Sequence, residues 1–393
     1  MLTVSAAAAQ SRSDPASEAP MRLGPLRLTP SVSLTNFGID SNVFNEVDNP
    51  KRDFTATLSP GTEARLRLRR ARVIGNGGVD FVYFSQYASQ RSLNLHGEAR
   101  LELPLNVFVP YVVSSSLSTR ERPGNEIDAR VRQSANTMTF GTNIQVGGKT
   151  SVDIAARTSQ TGFDQDPTFL GINLREALSH RTSGVTTTVR YNMTPLTKLV
   201  VRAETLRDSF EFSPIRNADS LRVIPGVELA TFALVTGRAH VGFQKFRPLD
   251  STVPAFAGVA ADVELGYTLL NATRLTVRAD RDIAYSYEIT EPYYVRTGLS
   301  GAVARHVRGQ WEIIGNIGRQ RLAYQSIRAV TAPLTNFRRT DVVSNYGTGV
   351  AYRLDRSKRV ELRLDYYRRR SPVALYRDYD GFRLGTSVTY GFR

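Results

Sequence analysis

A chain of 393 residues with 41% hydrophobic residues holds enough apolar surface for a large core, and as a soluble protein it would divide into two or three domains. Lys and Arg outnumber Asp and Glu, 51 to 36, for a formal net charge of +15; that balance points to an anionic surface, an anionic solute or nucleic acid, or simply to a solvated basic face. The absence of Cys excludes a disulfide framework and a thiolate metal site. No run approaches the ~18 consecutive apolar residues of a spanning helix, which excludes a helical membrane protein but not a barrel, whose polar inner face dilutes the apolar signal.

The first residues, MLTVSAAAAQS, place Ala7 and Ala9 before Gln10 in the small-residue pattern of a secretory cleavage site. With no basic n-region and almost no apolar h-region, residues 1–9 read as the tail of a signal peptide; an Ala-rich disordered end is the plainer alternative. Residues 10–27 are rich in Ser, Pro and Ala at their start and predict a flexible periplasmic leader. From residue 28 to 393 the chain reads as a single barrel.

The dominant signal in that part is period two. In DFTATLSPGTEARLRLRR, Asp53 to Arg70, one side carries Phe54, Ala56, Leu58, Ala64, Leu66 and Leu68, and the other Thr55, Thr57, Ser59, Glu63, Arg65, Arg67 and Arg69. That is the alternation of a strand with two unlike faces. It recurs as Leu93, Leu95, Ala99, Leu101 and Leu103 against Asn94, His96, Glu98, Arg100 and Glu102, and as Val185, Val189 and Tyr191 against Thr186, Thr188 and Arg190. Leu275, Val277 and Ala279 oppose Arg274, Arg278 and Asp280, and Val360, Leu362, Leu364 and Tyr366 oppose Glu361, Arg363 and Asp365. No comparable helical period occurs, so the fold class is all-β.

Two kinds of break take turns. Tight ones fall at RRAR, PLN, GGKT, TPLT, LNAT, HVRG and DRSK, with a further break near Thr231 to Thr236; longer polar connections lie between them, among them NEVDNPKR, RERPGNEIDAR and the stretch Asp164 to His180. Short turns at one end and long loops at the other is the layout of a transmembrane up-and-down antiparallel β-barrel, here of about 18 strands. The run from Asp53 to Leu68 would extend ~50 Å, longer than the ~9 to 11 residues a tilted membrane strand needs. An arginine facing lipid at the midplane would cost ~2 to 4 kcal/mol, so lipid must meet the leucines and water the arginines.

Aromatic residues fall near both ends of these runs. Tyr83, Tyr87, Phe210, Phe212, Phe243, Tyr285, Tyr287, Tyr293, Tyr294, Tyr324 and Tyr366 lie toward the loops, and Tyr111, Tyr267, Trp311, Tyr352, Tyr390 and Phe392 toward the short turns. Two interfacial girdles would place them so. In the last run, GFRLGTSVTYGFR, the residues Arg383, Gly385, Val388 and Tyr390, continued by Phe392, resemble the C-terminal signal read by the barrel-assembly machinery; the chain departs from that form in ending on Arg393.

Near the start, Gly38, Asp40, Ser41, Asn42, Val43 and Phe44, followed by Asp53 and Pro60, resemble the opening of a beta-barrel porin family often found with exopolysaccharide export systems. The resemblance is sharp across those residues and one of pattern elsewhere. It implies an outer-membrane pore associated with polysaccharide or another anionic cargo, a step that rests on analogy because fold alone does not fix function.

No catalytic constellation assembles. GGKT at 147–150 has Asn143 where a phosphate-binding loop needs its first glycine, GLSGA at 298–302 lacks the last glycine of a nucleophile elbow, and His96, His180, His240 and His306 have no second ligand at metal spacing. Asp40, Glu46, Asp48 and Asp53 could gather on a cation or be solvated turn residues, and the latter is the expectation. The chain therefore reads as no enzyme, with no cofactor and no metal site.

The inner face remains. Strand parity assigns to it Arg65, Arg67, Arg100, Arg190, Arg202, Arg278, Arg296, Arg353, Arg363 and Arg383, interleaved with Glu63, Glu98, Glu102, Glu204, Asp280, Glu361 and Asp365. Arginine rings select anions; the alternative is that the charges pair between strands and brace the wall. Phe163 to His180 is the stretch expected to fold in as a plug. The expected function is an outer-membrane porin-like channel of a Gram-negative envelope that passes polar, anionic solutes or exported polysaccharide. The other reading is a non-conducting anchor or adhesin barrel whose extracellular loops bind a partner. Outer-membrane lipid and lipopolysaccharide, the barrel-assembly machinery and polysaccharide export components are the expected partners, and nucleic acid is not.

Overall fold

The computed structural model describes residues 21–164, 168–230, 234–270, 272–328, 339–355, 357–372 and 378–391. After the short strand β1 (Met21–Leu23) come β2 (Leu26–Asp40), β3 (Asp53–Arg67), β4 (Arg72–Phe84), β5 (Ser92–Glu102), β6 (Phe108–Glu121), β7 (Val131–Val146) and β8 (Thr150–Phe163). A small hairpin, β9 (Thr168–Phe169) and β10 (Ile172–Asn173), and the helix α1 (Leu174–Leu178) interrupt them. The series resumes with β11 (His180–Thr194), β12 (Thr197–Phe210), β13 (Ala218–Leu229), β14 (Val235–Pro248), β15 (Phe256–Leu269) and β16 (Thr273–Tyr285). It ends with β17 (Tyr293–Arg308), β18 (Trp311–Gln325), β19 (Thr340–Arg353), β20 (Lys358–Arg370) and β21 (Tyr379–Gly391).

Each wall strand pairs antiparallel with its chain neighbours, β8 joins β11 across the insertion, and β21 returns to β2. Strands β2 to β8 and β11 to β21 thus close an 18-strand barrel. Closure is what the sequence pattern demands. A strand with one face in lipid must find every backbone partner in the wall, and only a sheet without edges supplies them all.

Register decides which residues share a face. On one face Val73 lies opposite Leu101, Leu58 opposite Phe81, Leu265 opposite Val277, and Ile313 opposite Val350; all are apolar, and Leu58, Phe81, Leu101, Val277, Ile313 and Val350 are exposed. On the other face side chains reach past their neighbours. Tyr111 of β6 bonds Asp153 of β8, Arg222 of β13 bonds Asp282 of β16, and Tyr285 of β16 bonds Asp208 of β12. Side chains that skip strands can meet only on the concave side of a closed wall, so the polar face is the inner one.

The wall begins two residues earlier than residue 28. Gly24 adopts φ +59, a turn conformation that glycine takes without a Cβ penalty, and Met21–Leu23 folds back on Leu26–Leu28. Residues 21–27 therefore belong to strands and their turn, not to a leader; residues 1–20 lie outside the described part. Among the described residues the short turns match the sequence breaks closely, except that β17 continues to Arg308 and turns at Gly309, where HVRG suggested an earlier stop; residues 231–233, 271 and 356, within three of the breaks, lie outside the described part.

The seam between β2 and β21 is shaped by two features. A bulge between Leu34 and Phe37, with Asn36 at φ 52, resets the alternation so that both Leu34 and Phe37 stay on the outer face. Beyond it Gly38 lies opposite Gly385, so close that a Cβ on Gly38 would sit 2.0 Å from the carbonyl oxygen of Leu384. The seam is then clasped by Asp40, which accepts from Arg383 Nη2 at 2.6 Å, the Tyr367 hydroxyl at 2.6 Å and the Asn42 amide at 3.0 Å.

Asp40→Ala removes the acceptor from a clasp that is almost wholly buried on the aspartate side. Loss of one partner of a buried charge pair costs about 3 to 5 kcal/mol. The denaturant midpoint of the variant in detergent, followed by the heat-dependent gel shift of folded barrel, is expected to fall accordingly; an unchanged midpoint would remove Asp40 from the closure of the seam.

Candidate functional site

The inner wall is a ladder of charges. Arg65 bonds Glu63 on its own strand, and Arg100 donates to Glu102 at 2.6 Å while its guanidinium lies 4.1 Å over the Tyr111 ring. Arg190 approaches Glu228 at 4.0 Å, Arg222 lies 3.9 Å from Glu204 and 2.7 Å from Asp282, and Arg278 donates to Glu264 at 2.6 Å. Arg296 pairs with Asp280 at 3.0 Å and Arg353 with Glu312 at 2.7 Å, while Arg363 sits 3.3 Å from Glu361 and 3.1 Å from Asp365. Such pairs contribute about 0.2 to 1 kcal/mol each between strands. Their number, more than any one of them, stiffens the wall.

Not every charge is matched. Arg202, in register with Thr188 and Ile224, has no hydrogen bond or ion pair among the described residues, and the same is true of Arg72, Arg157 and Arg274 on the inner face. Of the acidic residues assigned to this face by parity, Glu98, between Asn76 and Ser115, is the one without a partner among the described residues. Both readings of the arginines thus coexist: most are braces, and a minority are free positive charges.

The aromatic residues divide differently from the expected girdles. Phe210, Tyr287, Tyr293, Tyr294 and Tyr324 are almost wholly buried, because they pack beneath or among the loops and not against lipid. Tyr111 is likewise an inner-face residue near the short turns. The outward girdle toward the long loops is formed by residues such as Tyr83, Phe243, Tyr346, Tyr366 and Phe382, and the one toward the short turns by Trp311, Tyr352 and Tyr390. Of the residues resembling an assembly signal, Arg383 and Gly385 face inward at the seam, Val388 and Tyr390 point outward, and Phe392 lies outside the described residues.

The mouth at the long-loop end is crossed by a buried layer. The connection from β6 to β7, residues 122–130, leans over the lumen: Ile127 packs with Val131, Phe163, Leu174, Ala177, Leu178 and Tyr287. Glu126 accepts from the Ser286 hydroxyl at 2.6 Å, on the connection between β16 and β17, and Asn125 bonds Gln320 of β18. These elements stand far apart around the barrel, so the contacts span the opening. Fully buried Arg369 of β20 holds the loop from the wall, donating to the Glu126 carbonyl at 2.9 Å, Asp128 at 3.0 Å and Asp341 at 2.8 Å. Arg339 adds Asp341 at 2.8 Å and Glu291 at 3.0 Å, and Arg216 donates to the carbonyls of Ser286 and Tyr287, both at 2.9 Å.

Burial raises the Asp128 carboxyl, with Arg369 opposing the rise, and it raises Glu291 in the same way. It pushes the Arg216 guanidinium down to about 10, which leaves that group charged at neutral pH. A charged, hydrogen-bonded layer of this kind is held firmly when every partner is present and is vulnerable when one is lost.

The stretch from Phe163 to His180 does contribute to this layer, since Asn173 caps α1 by accepting from the Arg175 amide at 2.9 Å and the helix presents Leu174, Ala177 and Leu178 to Ile127; residues 165–167 lie outside the described part. Sequence reasoning missed the larger share carried by residues 122–130 and by Arg369, Asp341, Arg339 and Arg216. One signal was available, a lone Ile127 in an otherwise polar loop. The acidic residues near the start do not gather: Asp40 serves the seam, Asp53 accepts from the amides of Phe54, Gln86 and Tyr87, and Glu46 pairs with Lys51. Among the described residues no group of three or more His, Asp or Glu could hold a metal.

The model of the family described as Putative beta-barrel porin 2 matches residues 14–392. Among solved structures the chain is similar to the outer membrane protein opdK from Pseudomonas aeruginosa, at 8% identity and a TM-score of 0.49, covering 93% of this chain and 98% of that one. It is also similar to the siderophore receptor PirA from Pseudomonas aeruginosa, at 9% identity and a TM-score of 0.45, covering 95% of this chain and 81% of that one. No curated protein matches.

Arg369→Ala leaves Asp128, Asp341 and the Glu126 carbonyl without their shared donor. The expected result is release of residues 122–130, read as rapid limited proteolysis in that loop with the wall still folded. Cleavage no faster than in the unaltered protein would show that Arg369 does not hold the layer.

Proposed function

The chain belongs to the family described as Putative beta-barrel porin 2, and on that premise we propose that it is an outer-membrane channel of a Gram-negative bacterium passing polar, anionic solutes or an exported polysaccharide. The observation that carries this reading is the unmatched positive charge on the inner wall. Arg72, Arg157, Arg202 and Arg274 have no partner among the described residues, against Glu98 alone of the assigned acids. Arginines lining a pore favour anions, and a closed barrel of 18 strands is wide enough for an aqueous channel unless loops fill it.

The loop layer fits a regulated opening, in which cargo or a partner displaces residues 122–130. It also favours the second reading, a non-conducting anchor or adhesin whose loops are the working surface, more than a bare ring of arginines would. Residues Arg383, Gly385, Val388 and Tyr390 at the end of β21 would serve the barrel-assembly machinery, and polysaccharide export components would dock at the short-turn end.

Reversal potentials in planar bilayers under a KCl gradient separate these readings. The Arg369→Ala protein is expected to conduct with Cl⁻ preference, and adding Arg157→Glu and Arg202→Glu is expected to lower that preference several-fold without abolishing conductance. A folded, inserted Arg369→Ala barrel that never conducts would leave the anchor reading; conduction with selectivity indifferent to both substitutions would remove the anion from the proposal.

A further inference from the structure

Toward the long loops the outer face gives up its apolar rule at several places, as at Arg207, Asp219 and Arg247 of β12 to β14, which pair with one another; in the sector from β16 to β20 it does so with arginines alone. Along β18 the outward residues run Trp311, Ile313, Gly315 and Ile317, then change to Arg319 and Arg321. Along β20 they run Val360, Leu362, Leu364 and Tyr366, then change to Arg368 and Arg370. Register through β19 joins the two changes: Arg319, Ser344 and Arg368 form one rung, and Arg321, Val342 and Arg370 the next. Arg281 of β16 extends the second rung through Thr297, its neighbour in register with both Arg281 and Arg321.

The height of this patch is set by the strand. Trp311 stacks edge-on with Tyr352 at 4.9 Å near the short turns. Arg319 and Arg321 lie eight and ten residues further along β18, which is ~26 and ~33 Å of strand. At a tilt of about 40° those distances rise ~20 and ~25 Å, against an apolar band ≈ 25 Å tall. The guanidinium groups therefore sit at the outer rim of the hydrocarbon, just above the ring of Tyr346, Tyr366 and Phe382, whose centroids lie 6.2 and 4.8 Å apart in succession.

Their partners are missing in a way that the inner wall makes conspicuous. Arg319, Arg321 and Arg368 have no hydrogen bond or ion pair among the described residues. Among the described residues Arg370 meets only Asp378 at 3.5 Å and Asp380 at 4.0 Å. Together with Val342, Ser344, Tyr346 and Tyr366, three of these arginines line a shallow recess. Strands lie ≈ 4.8 Å apart, so positive charges crowd within roughly 10 Å of one another on a surface that borders lipid.

We propose that this patch binds the phosphate groups of a multiply phosphorylated lipid in the outer leaflet, its acyl chains lying on Ile317, Leu362 and Leu364 beneath. Guanidinium groups pair with phosphate in forked hydrogen bonds. The apolar surface directly below selects a lipid over free phosphate or a soluble polymer, because only a lipid satisfies both halves of the sector. The inference rests on the membrane orientation adopted above, with the long loops outward, but it does not need the barrel to conduct.

The test is native mass spectrometry of the refolded barrel in detergent, titrated with diphosphoryl lipid A, monophosphoryl lipid A and inorganic pyrophosphate. Diphosphoryl lipid A is expected to be retained at least several-fold better than the monophosphoryl form, with pyrophosphate a poor competitor. The triple variant Arg319→Gln, Arg321→Gln, Arg368→Gln should lose that retention while keeping its heat-dependent gel shift, and the corresponding triple Lys variant should recover part of it. Equal retention by the Gln variant, or no dependence on phosphate number, would overturn the proposal, whatever the bilayer recordings show.

Discussion

One constraint governs this molecule: every backbone N–H and C=O that meets lipid has to be paired within the wall. A sheet meets it only by closing, and once closed it separates two solvents. The period-two sequence is the consequence, with Leu58, Leu101, Val277 and Leu364 turned to lipid and Arg65, Arg100, Arg278 and Arg363 turned inward. The bulge at Asn36 and the close pass of Gly38 by Leu384 are where the last strand is made to fit the first.

With the two faces fixed, the charges fall into four populations that do different things. Most inner arginines are spent on neighbouring carboxylates and stiffen the wall. A few, Arg157 and Arg202 among them, have no partner among the described residues. Arg369, Arg339 and Arg216 are buried in the loop layer and hold the mouth. The outward arginines of β18 and β20 form a fourth group, tolerated there because the cost of an arginine facing lipid falls from ~2 to 4 kcal/mol at the midplane to ~0 to 1 near the interface.

Much of the wall was legible in the sequence because its cause is local. Alternation in DFTATLSPGTEARLRLRR names both faces of β3 before any contact is known, and tight breaks such as GGKT and TPLT locate the hairpins. The loop layer was not legible in this way. Glu126 meets Ser286, 160 residues away, and Arg369 meets Asp128, 241 residues away; neither partner leaves a periodic trace. The same limit misassigned Phe210, Tyr293 and Tyr324, which alternate like girdle residues but are covered by loops, and parity could not foresee how Asn36 would shift the frame of β2.

Because the chain has no cysteine, single cysteines introduced in turn at residues 360 to 365 of β20 report the environment of each face without background. The measurement is labelling by a membrane-impermeant maleimide, paired with quenching of an attached fluorophore by brominated acyl chains, in the protein reconstituted into vesicles. Strict alternation is expected, with positions 361, 363 and 365 labelled from water and positions 360, 362 and 364 quenched by lipid. Labelling that does not alternate, or quenching on the arginine side, would contradict the two-solvent wall from which everything else here is argued.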